Sequence, residues 1–225
     1  IAAAGPDGAG VHYQPAAETD RKLEEGSLLL LDSGAQYFDG TTDITRTIAL
    51  GTPSPEMCDN FTLVLKAHIA LASQKFIDGT DGMSLDKIAR SPMWNEGKDY
   101  KHGTGHGVGC FLNVHEGPQN FSLHASSYPL AENMIVSIEP GYYRENAFGI
   151  RIENLARIVV DEESGMLKFA VLTLAPLDKR LIDKYLLTDE EISWLNDYHR
   201  DVLQKVSPYL TEEEKIWLKE ACSSL

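Results

Sequence analysis

The sequence predicts an α+β fold in which antiparallel hairpins are covered by helices, and three observations carry that prediction. Apolar, β-branched runs come in pairs around short polar turns, over 27–50 and again over 134–160. Apolar residues recur at helical spacing after Pro55 and again near the C-terminus. Between Gly97 and Gly117 stand six glycines and three histidines, a glycine density that no stable helix survives.

In chain order, the first pair runs from Leu28 to Leu31, through turn chemistry at Phe38-Asp39-Gly40-Thr41, and back along the β-branched stretch Thr41 to Ile48. Gly51-Thr-Pro-Ser-Pro55 then breaks the chain. From Pro55 to Phe76, residues Met57, Phe61, Val64, Leu65, Ile69 and Ala72 trace one helical face. A second helix is expected over Ser84 to Ala89, with Ser84 as its N-cap. Met134 to Glu139 and Gly149 to Val160 form the second strand pair, parted by Pro140 to Phe148. Beyond the turn at Asp161-Glu-Glu-Ser-Gly165 come a strand over Leu167 to Leu174 and helices around Asp189 to Gln204 and Thr211 to Ala221. The stripe Trp194, Leu195, Tyr198 and Val202 reads as packing. There is no internal repeat, low-complexity tract or long linker.

At 225 residues the chain is long enough for one sizeable core, and 43% apolar beside 24% charged residues is a globular composition. Thirty-four Asp and Glu against twenty Lys and Arg give a formal charge of −14, which repels phosphate backbones and anionic lipid. Nucleic acid and membrane surfaces are therefore not expected as partners. The best apolar run, Leu28 to Leu31, is far short of the roughly 18–20 residues of a spanning helix. Cys58, Cys110 and Cys222 are odd in number and scattered, which fits a reducing, cytoplasmic compartment better than a disulfide framework. The opening Ile1-Ala-Ala-Ala-Gly5 has neither an initiator Met nor a signal-peptide layout; it reads as a cut end, and the expectation is a fragment or processed piece.

Some of the carboxylates belong to a site rather than to the solvated surface. Asp32 follows four leucines at the end of a strand that should be buried, where a lone carboxylate is strongly disfavoured. Asp43 lies on the returning strand. With the turn centred on Asp39-Gly40, Asp32 would face Thr47, so a bulge or longer loop is expected if the two aspartates are to meet; pairing of either with Arg46 is the structural alternative. Glu139 and Glu153 are equidistant from Asn146, so a hairpin turning there sets them opposite one another among apolar neighbours. Like charges so placed need something positive between them: a cation, or Arg151, which shares the face of Glu153. His102-Gly-Thr-Gly-His106-Gly-Val-Gly and His115 complete the cluster, while His12, beside Gly10 and Tyr13, carries no signal of its own. Asp, Asp, His, Glu and Glu make a hard, oxygen-rich donor set suited to a pair of Mn²⁺-like or Zn²⁺ ions and to hydrolysis.

Five segments carry a resemblance to a known family: Asp32-Ser-Gly-Ala-Gln-Tyr-Phe-Asp-Gly-Thr-Thr-Asp43-Ile-Thr-Arg-Thr47, His102-Gly-Thr-Gly-His106-Gly-Val-Gly, Val114-His115-Glu-Gly-Pro118, Glu139-Pro-Gly-Tyr-Tyr143 and Phe148-Gly-Ile-Arg-Ile-Glu153-Asn. In order and spacing they resemble aminopeptidase P, the Xaa-Pro aminopeptidases of the pita-bread metallopeptidase superfamily, and within it the large, multi-domain cytosolic branch. The resemblance extends through Leu174-Ala-Pro-Leu-Asp178 and Trp194-Leu-Asn-Asp-Tyr198. It implies a pita-bread (creatinase/aminopeptidase) fold, a curved antiparallel sheet covered by helices, whose N-terminal part and two preceding domains lie outside this chain. Residues 1–160 would form the metal-binding catalytic core and 161–225 a strand and helical extension packed on it. It further implies Asp32, Asp43, His106, Glu139 and Glu153 as metal ligands with Asp43 and Glu153 bridging, His12, His102 and His115 lining the substrate site, Glu139 as general base, and Arg151 steadying the carboxylates. His102 and His115 would also hold the scissile carbonyl or developing charge. The cofactor implied is two divalent ions, Mn²⁺ before Zn²⁺ or Co²⁺, and the substrate a peptide with N-terminal Xaa-Pro. The alternatives are a dipeptide-cleaving prolidase and a non-catalytic pita-bread binding module. A homodimer is expected, through exposed apolar surface or Trp94.

Overall fold

The computed structural model describes residues 1–124 and 127–225. Ala2–Ala4 (β1), Ser27–Tyr37 (β2) and Gly40–Leu50 (β3) form an antiparallel sheet in that order. Hydrophobic alternation along Leu28, Leu30, Thr47 and Ala49, all buried, fixes which face of the β2/β3 ladder points inward. It does not fix the register, because a slip of two residues keeps every side chain on its face. Turn length decides: the hairpin closes on Phe38-Asp39, with Tyr37 paired to Gly40, one residue earlier than expected. Asp32 therefore faces Thr45, not Thr47, and no bulge intervenes. Asp43, two residues from Thr45, shares its face, so the aspartates are diagonal neighbours.

Helix α1 is Pro55–Ala72, capped by Ser54, whose side chain accepts from Met57 N, with Pro55 in the first turn. It stops short of the expected Phe76 because Lys75–Phe76 (β4) pairs with a later strand and buries Phe76 on Phe169, ring centroids 5.2 Å apart. Helix α2 is Gly82–Asn95, longer at both ends than expected. Its N-cap is Asp81, whose carboxylate accepts from Ser84 N, so Ser84 is inside the helix. Pro92 lies in its last turn, between buried Arg90 and buried Met93.

The glycine-rich stretch carries one two-residue strand, Gly105–His106 (β5), paired with Asn120–Phe121 (β6). Next come Ile135–Ile138 (β7), Gly141–Arg144 (β8), Phe148–Arg151 (β9), Asn154–Val160 (β10) and Leu167–Val171 (β11). The second hairpin does turn about Asn146, but most of the expected loop 140–148 is paired, as β8 with β9. The ladder breaks elsewhere. Gly141 faces Arg151 on one side of the break and Ile138 faces Asn154 on the other, so Glu139 and Glu153 fall level with one another inside it. β11 ends at Val171, short of Leu174, where Thr173 turns its hydroxyl to Leu155 N.

A four-stranded sheet runs β4-β11-β10-β7. Helices α3 (Asp189–Val206) and α4 (Glu212–Ala221) each open on a threonine–glutamate capping box, Thr188 with Glu191 and Thr211 with Glu214. One apolar core joins Leu28, Phe61, Leu65, Ile150, Leu195 and Leu218, so α3 and α4 pack on the same interior as β2, α1 and β9. A second lies between α2 and the four-stranded sheet, around Leu85, Phe121, Ile138 and Ile158. Among the described residues no helix is long and apolar enough to cross a membrane.

Candidate metal centre

Four chain segments meet at the break in the ladder. Glu139 N donates to Thr104 O (2.7 Å) and Glu153 N to Thr45 O (3.1 Å), so neither glutamate's N–H pairs with the other's strand. Each is tied instead to a segment carrying another polar side chain: β3 with Asp43, and β5 with His106. The ligand atoms of Asp32, Asp43 and Glu153 lie within 4.8 Å of one another, as do those of His106, Glu139 and Glu153. Glu153 is common to both sets. Asp43, His106 and His115 form a third such set, which adds His115 to the five residues singled out from the sequence.

Four of the five side chains, all but Asp43, are held by a defined hydrogen-bond partner. Glu153 is 1% exposed; its Oε2 accepts from the Thr45 hydroxyl (2.6 Å), while its Oε1 is buried without a hydrogen-bond partner. Glu139 Oε1 accepts from Ser137 Oγ (3.0 Å), and the same Oγ accepts from His106 N (2.9 Å). His106 Nδ1 donates to Gly107 O (2.9 Å), which leaves the Nε2 lone pair facing inward. Nε2 stands 3.2 Å from Glu139 Oε1 and 3.6 Å from Asp43 Oδ2, buried and outside hydrogen-bond geometry. Arg151 Nη2 meets Asp32 Oδ2 at 2.6 Å, Nη1 donates to the Tyr143 hydroxyl (3.0 Å) and Nε to Thr45 Oγ1 (3.2 Å).

Four carboxylates against one guanidinium leave an excess of three negative charges. Burial, then the charges of Asp32 and Glu139, push Asp43 up to about 6. Burial, then Glu139 and Asp43, hold Glu153 well above the usual carboxylate range. Crowded carboxylates, two buried donor atoms without partners, and a set made only of oxygens and imidazole fit a pair of hard divalent cations, and no thiol competes.

The centre forms the floor of a cavity of about 1090 Å³. His12, His102 and His115 line it, with Gln36, Thr41 and Asn113. His102 has both ring nitrogens engaged: Nδ1 donates to Gly103 O (2.7 Å) and Nε2 accepts from the Tyr143 hydroxyl (2.8 Å). Arg46 pairs with neither aspartate, against the structural alternative drawn from the sequence; it points to the opposite face of β3. Thr45 and Ser137 were not singled out from the sequence. Their signal was parity, since each sits two residues from an acidic position and so shares its face.

The chain belongs to metallopeptidase family M24: the family model matches residues 1–161, and the model for the C-terminal region of peptidase M24 matches residues 165–225. It is 49% identical to Aminopeptidase P1 of Lotus japonicus over 98% of this chain and 35% of the relative. To Aminopeptidase P2 of Arabidopsis thaliana it is 48% identical over 96% of this chain and 32% of the relative. Among solved structures, an X-prolyl aminopeptidase from Caenorhabditis elegans, described as a cytosolic enzyme with a di-nuclear active site, matches at TM-score 0.94 and 44% identity, over 100% of this chain and 38% of that one. A prolidase from Pyrococcus furiosus matches at TM-score 0.65 and 32% identity, over 75% of this chain and 47% of that one. The fold is the pita-bread fold of the family, and the chain spans about a third of the length of the curated relatives it matches.

Proposed function

We propose that the protein is a dinuclear metallo-aminopeptidase that releases the first residue of peptides with proline in second position. The observation that carries this is the convergence of Asp32, Asp43, His106, Glu139 and Glu153 on overlapping sets that share Glu153, in a chain nearly half identical to proteins named aminopeptidase P. Those five residues would hold two divalent ions, manganese being the ion we favour, with Asp43 and Glu153 shared between them. Bound there, the ions would lower the pKa of a shared water towards neutrality and polarise the scissile carbonyl.

The chain's own residues supply the rest. Glu139 takes the proton of the attacking water as general base, and the hydroxyl of Ser137 fixes the orientation of its carboxylate. Proline makes the scissile amide tertiary, with no N–H to grip, so its ring must be recognised by shape and by groups around the carbonyl. His12 and His115 face the cavity for that purpose; His102 acts through Tyr143, to which its Nε2 is committed. Arg151 neutralises Asp32 and steadies it. Residues 1–160 would be the catalytic core, 161–225 its packed extension, the cytosol its compartment and a homodimer its assembly.

The test is release of the first residue from an Xaa-Pro-Pro peptide by the full-length protein with Mn²⁺. Turnover of Xaa-Pro-Pro but not Xaa-Ala-Pro supports the reading. Turnover confined to Xaa-Pro dipeptides would make it a prolidase, and no turnover beside undetectable metal would make it a binding module.

A further inference from the structure

Arg46 is buried, 8% exposed, and no carboxylate pairs with it among the described residues. Its guanidinium is spent on neutral oxygens instead. Nη1 donates to Thr45 O (2.9 Å) and Glu153 O (2.7 Å); Nη2 donates to Asn154 Oδ1 (2.7 Å), Ala175 O (2.9 Å) and the Tyr198 hydroxyl (2.8 Å); Nε donates to Pro176 O (3.2 Å). A buried cation without a directly paired carboxylate is costly, and it persists only where its surroundings are arranged to hold it, the charge of nearby Glu153 being one part of them.

The arrangement has two ends. At one end a single guanidinium grips the carbonyl of Glu153 and the side chain of the next residue, Asn154, while the Glu153 N–H is fixed to Thr45 O. The backbone on both sides of Glu153 is thereby pinned, and with it the direction of the carboxylate. At the other end everything that closes around Arg46 comes from residues 165–225. The Tyr198 hydroxyl accepts from Arg46 and lies within hydrogen-bond distance of Ala175 O (2.7 Å) and Thr173 O (3.1 Å); its ring stacks on Trp194, centroids 5.6 Å apart and planes 8° apart. The same segment fastens the free edge of β3 further along: Asp178 Oδ2 accepts from Ala49 N (2.9 Å) and Arg180 Nη2 donates to Ala49 O (2.8 Å).

We propose that Arg46 and Tyr198 are positioning residues for the metal centre, so that the C-terminal region serves in retaining the ions by fixing Glu153 from behind. This rests on the reading of Glu153 as a shared metal ligand. Groups that hydrogen-bond a ligating side chain change metal affinity or activity by about 10- to 100-fold when removed, and Arg46 and Tyr198, which act on the backbone of Glu153, belong at the lower end of that range.

The experiment is equilibrium titration of the metal-free full-length protein with Mn²⁺, with paramagnetic resonance reporting the spin-coupled pair, for the wild type, Tyr198→Phe, Arg46→Lys and the surface control Tyr209→Phe. Tyr198→Phe keeps the ring and its stack and loses only the hydroxyl. The expected result is about tenfold weaker binding of the second ion in Tyr198→Phe, a larger loss in Arg46→Lys, a smaller coupled-pair signal at two equivalents, and no change in Tyr209→Phe. A lower melting temperature of the metal-free protein with unchanged affinity and coupling would mean a structural role only and overturn the proposal. Should Arg46→Lys fail to fold, Tyr198→Phe alone decides. If the wild type itself does not bind two ions, the metal-centre reading fails first and this one falls with it; if it binds two and Tyr198→Phe binds them equally well, only this one fails.

Discussion

Replacing Thr45 by valine separates support of the fold from support of the ligand. Thr45 is fully buried, donates its hydroxyl to Glu153 Oε2 at 2.6 Å and accepts from Arg151 Nε at 3.2 Å. Valine keeps the volume and the β-branching, and the backbone bond from Glu153 N to Thr45 O is untouched. A carboxylate holding a cation is ionised, and a hydrogen bond to it is worth about 1.5–3 kcal/mol. Without ions, burial and the charges of Glu139 and Asp43 favour the protonated form of Glu153, and a neutral bond is worth only about 0.5–1.5 kcal/mol. The difference, about 1–2 kcal/mol, is what metal affinity reads, and it corresponds to roughly 5- to 30-fold weaker binding. Calorimetric titration with Mn²⁺ measures it, with Thr47→Val as the companion. Among the described residues the Thr47 hydroxyl bonds only to the backbone of Arg151 (3.0 and 3.1 Å), so its loss lowers the melting temperature without changing affinity more than about twofold. If Thr45→Val and Thr47→Val behave alike, the hydroxyl of Thr45 serves the strand pair and not the carboxylate, and the reasoning is wrong.

Gly105→Ala places a Cβ 2.0 Å from Ser137 O and 2.9 Å from a Phe121 ring carbon. Strand β5 must shift, taking His106 with it, and the expected outcome is a loss of about 1–3 kcal/mol by denaturant titration together with lost metal binding. Leu195→Ala, at a fully buried position of α3 that shares a core with Phe61 and Ile150, costs about 2–5 kcal/mol. Hydrogen exchange should quicken in β9 as well as in α3, since one core serves both; quickening confined to α3 would contradict that. His199 is held down to about 4, by burial first and then by Lys179 and Arg46, and His68 to about 3, by burial first and then by Arg46. The unfolded chain takes up these protons near pH 6.5 and the folded chain does not, so stability falls as pH drops below 6.5, by up to about 1.4 kcal/mol per unit for each imidazole, and is unaffected by them above it. His199→Gln, whose amide oxygen can still accept from Leu177 N, should remove about half of that slope in melting curves between pH 6.5 and 5.

Much of this architecture was legible because its signals are local. Helical spacing of apolar residues after Pro55 announced α1, paired apolar and β-branched runs around turn residues at 27–50 announced a hairpin, and the polar stretch around Asn146 announced a turn that the structure places there. What stayed hidden depended on distant partners. Nothing near Phe76 marks the end of α1; the end is set by pairing with β11, ninety residues on in the chain. The β2/β3 register escaped because alternation has a period of two and tolerates a slip of two, and only the length of the turn separates the alternatives. Arg46 looked like a partner for Asp32 or Asp43 because they are close in sequence, yet its parity differs from theirs on the strand and turns it towards residues 175–198, which no local pattern connects to β3.

The break between β7/β8 and β9/β10 explains why the acidic cluster can exist at all. Carboxylates opposed across an unbroken ladder would be held at a strand spacing by two continuous backbones, with like charges in fixed contact. Here the regular ladder is interrupted for two residues on each strand, bridged by Ile152 N donating to Pro140 O (3.4 Å), and the N–H groups of Glu139 and Glu153 go instead to Thr104 and Thr45. Those two bonds draw β5 and β3 into the gap, and with them His106, Asp43 and, one diagonal further, Asp32. The same departure from regular pairing thus satisfies the backbone of each glutamate and delivers the remaining donors, so the interruption assembles the site. Repulsion among the carboxylates is then opposed from behind by two guanidinium groups, Arg151 on Asp32 and Arg46 beneath Glu153. Of the 34 acidic side chains, four gain their place from that geometry. The net charge of −14 could not single them out; opposition across a hairpin marked two of them, Glu139 and Glu153, while Asp32 and Asp43 meet only on a diagonal.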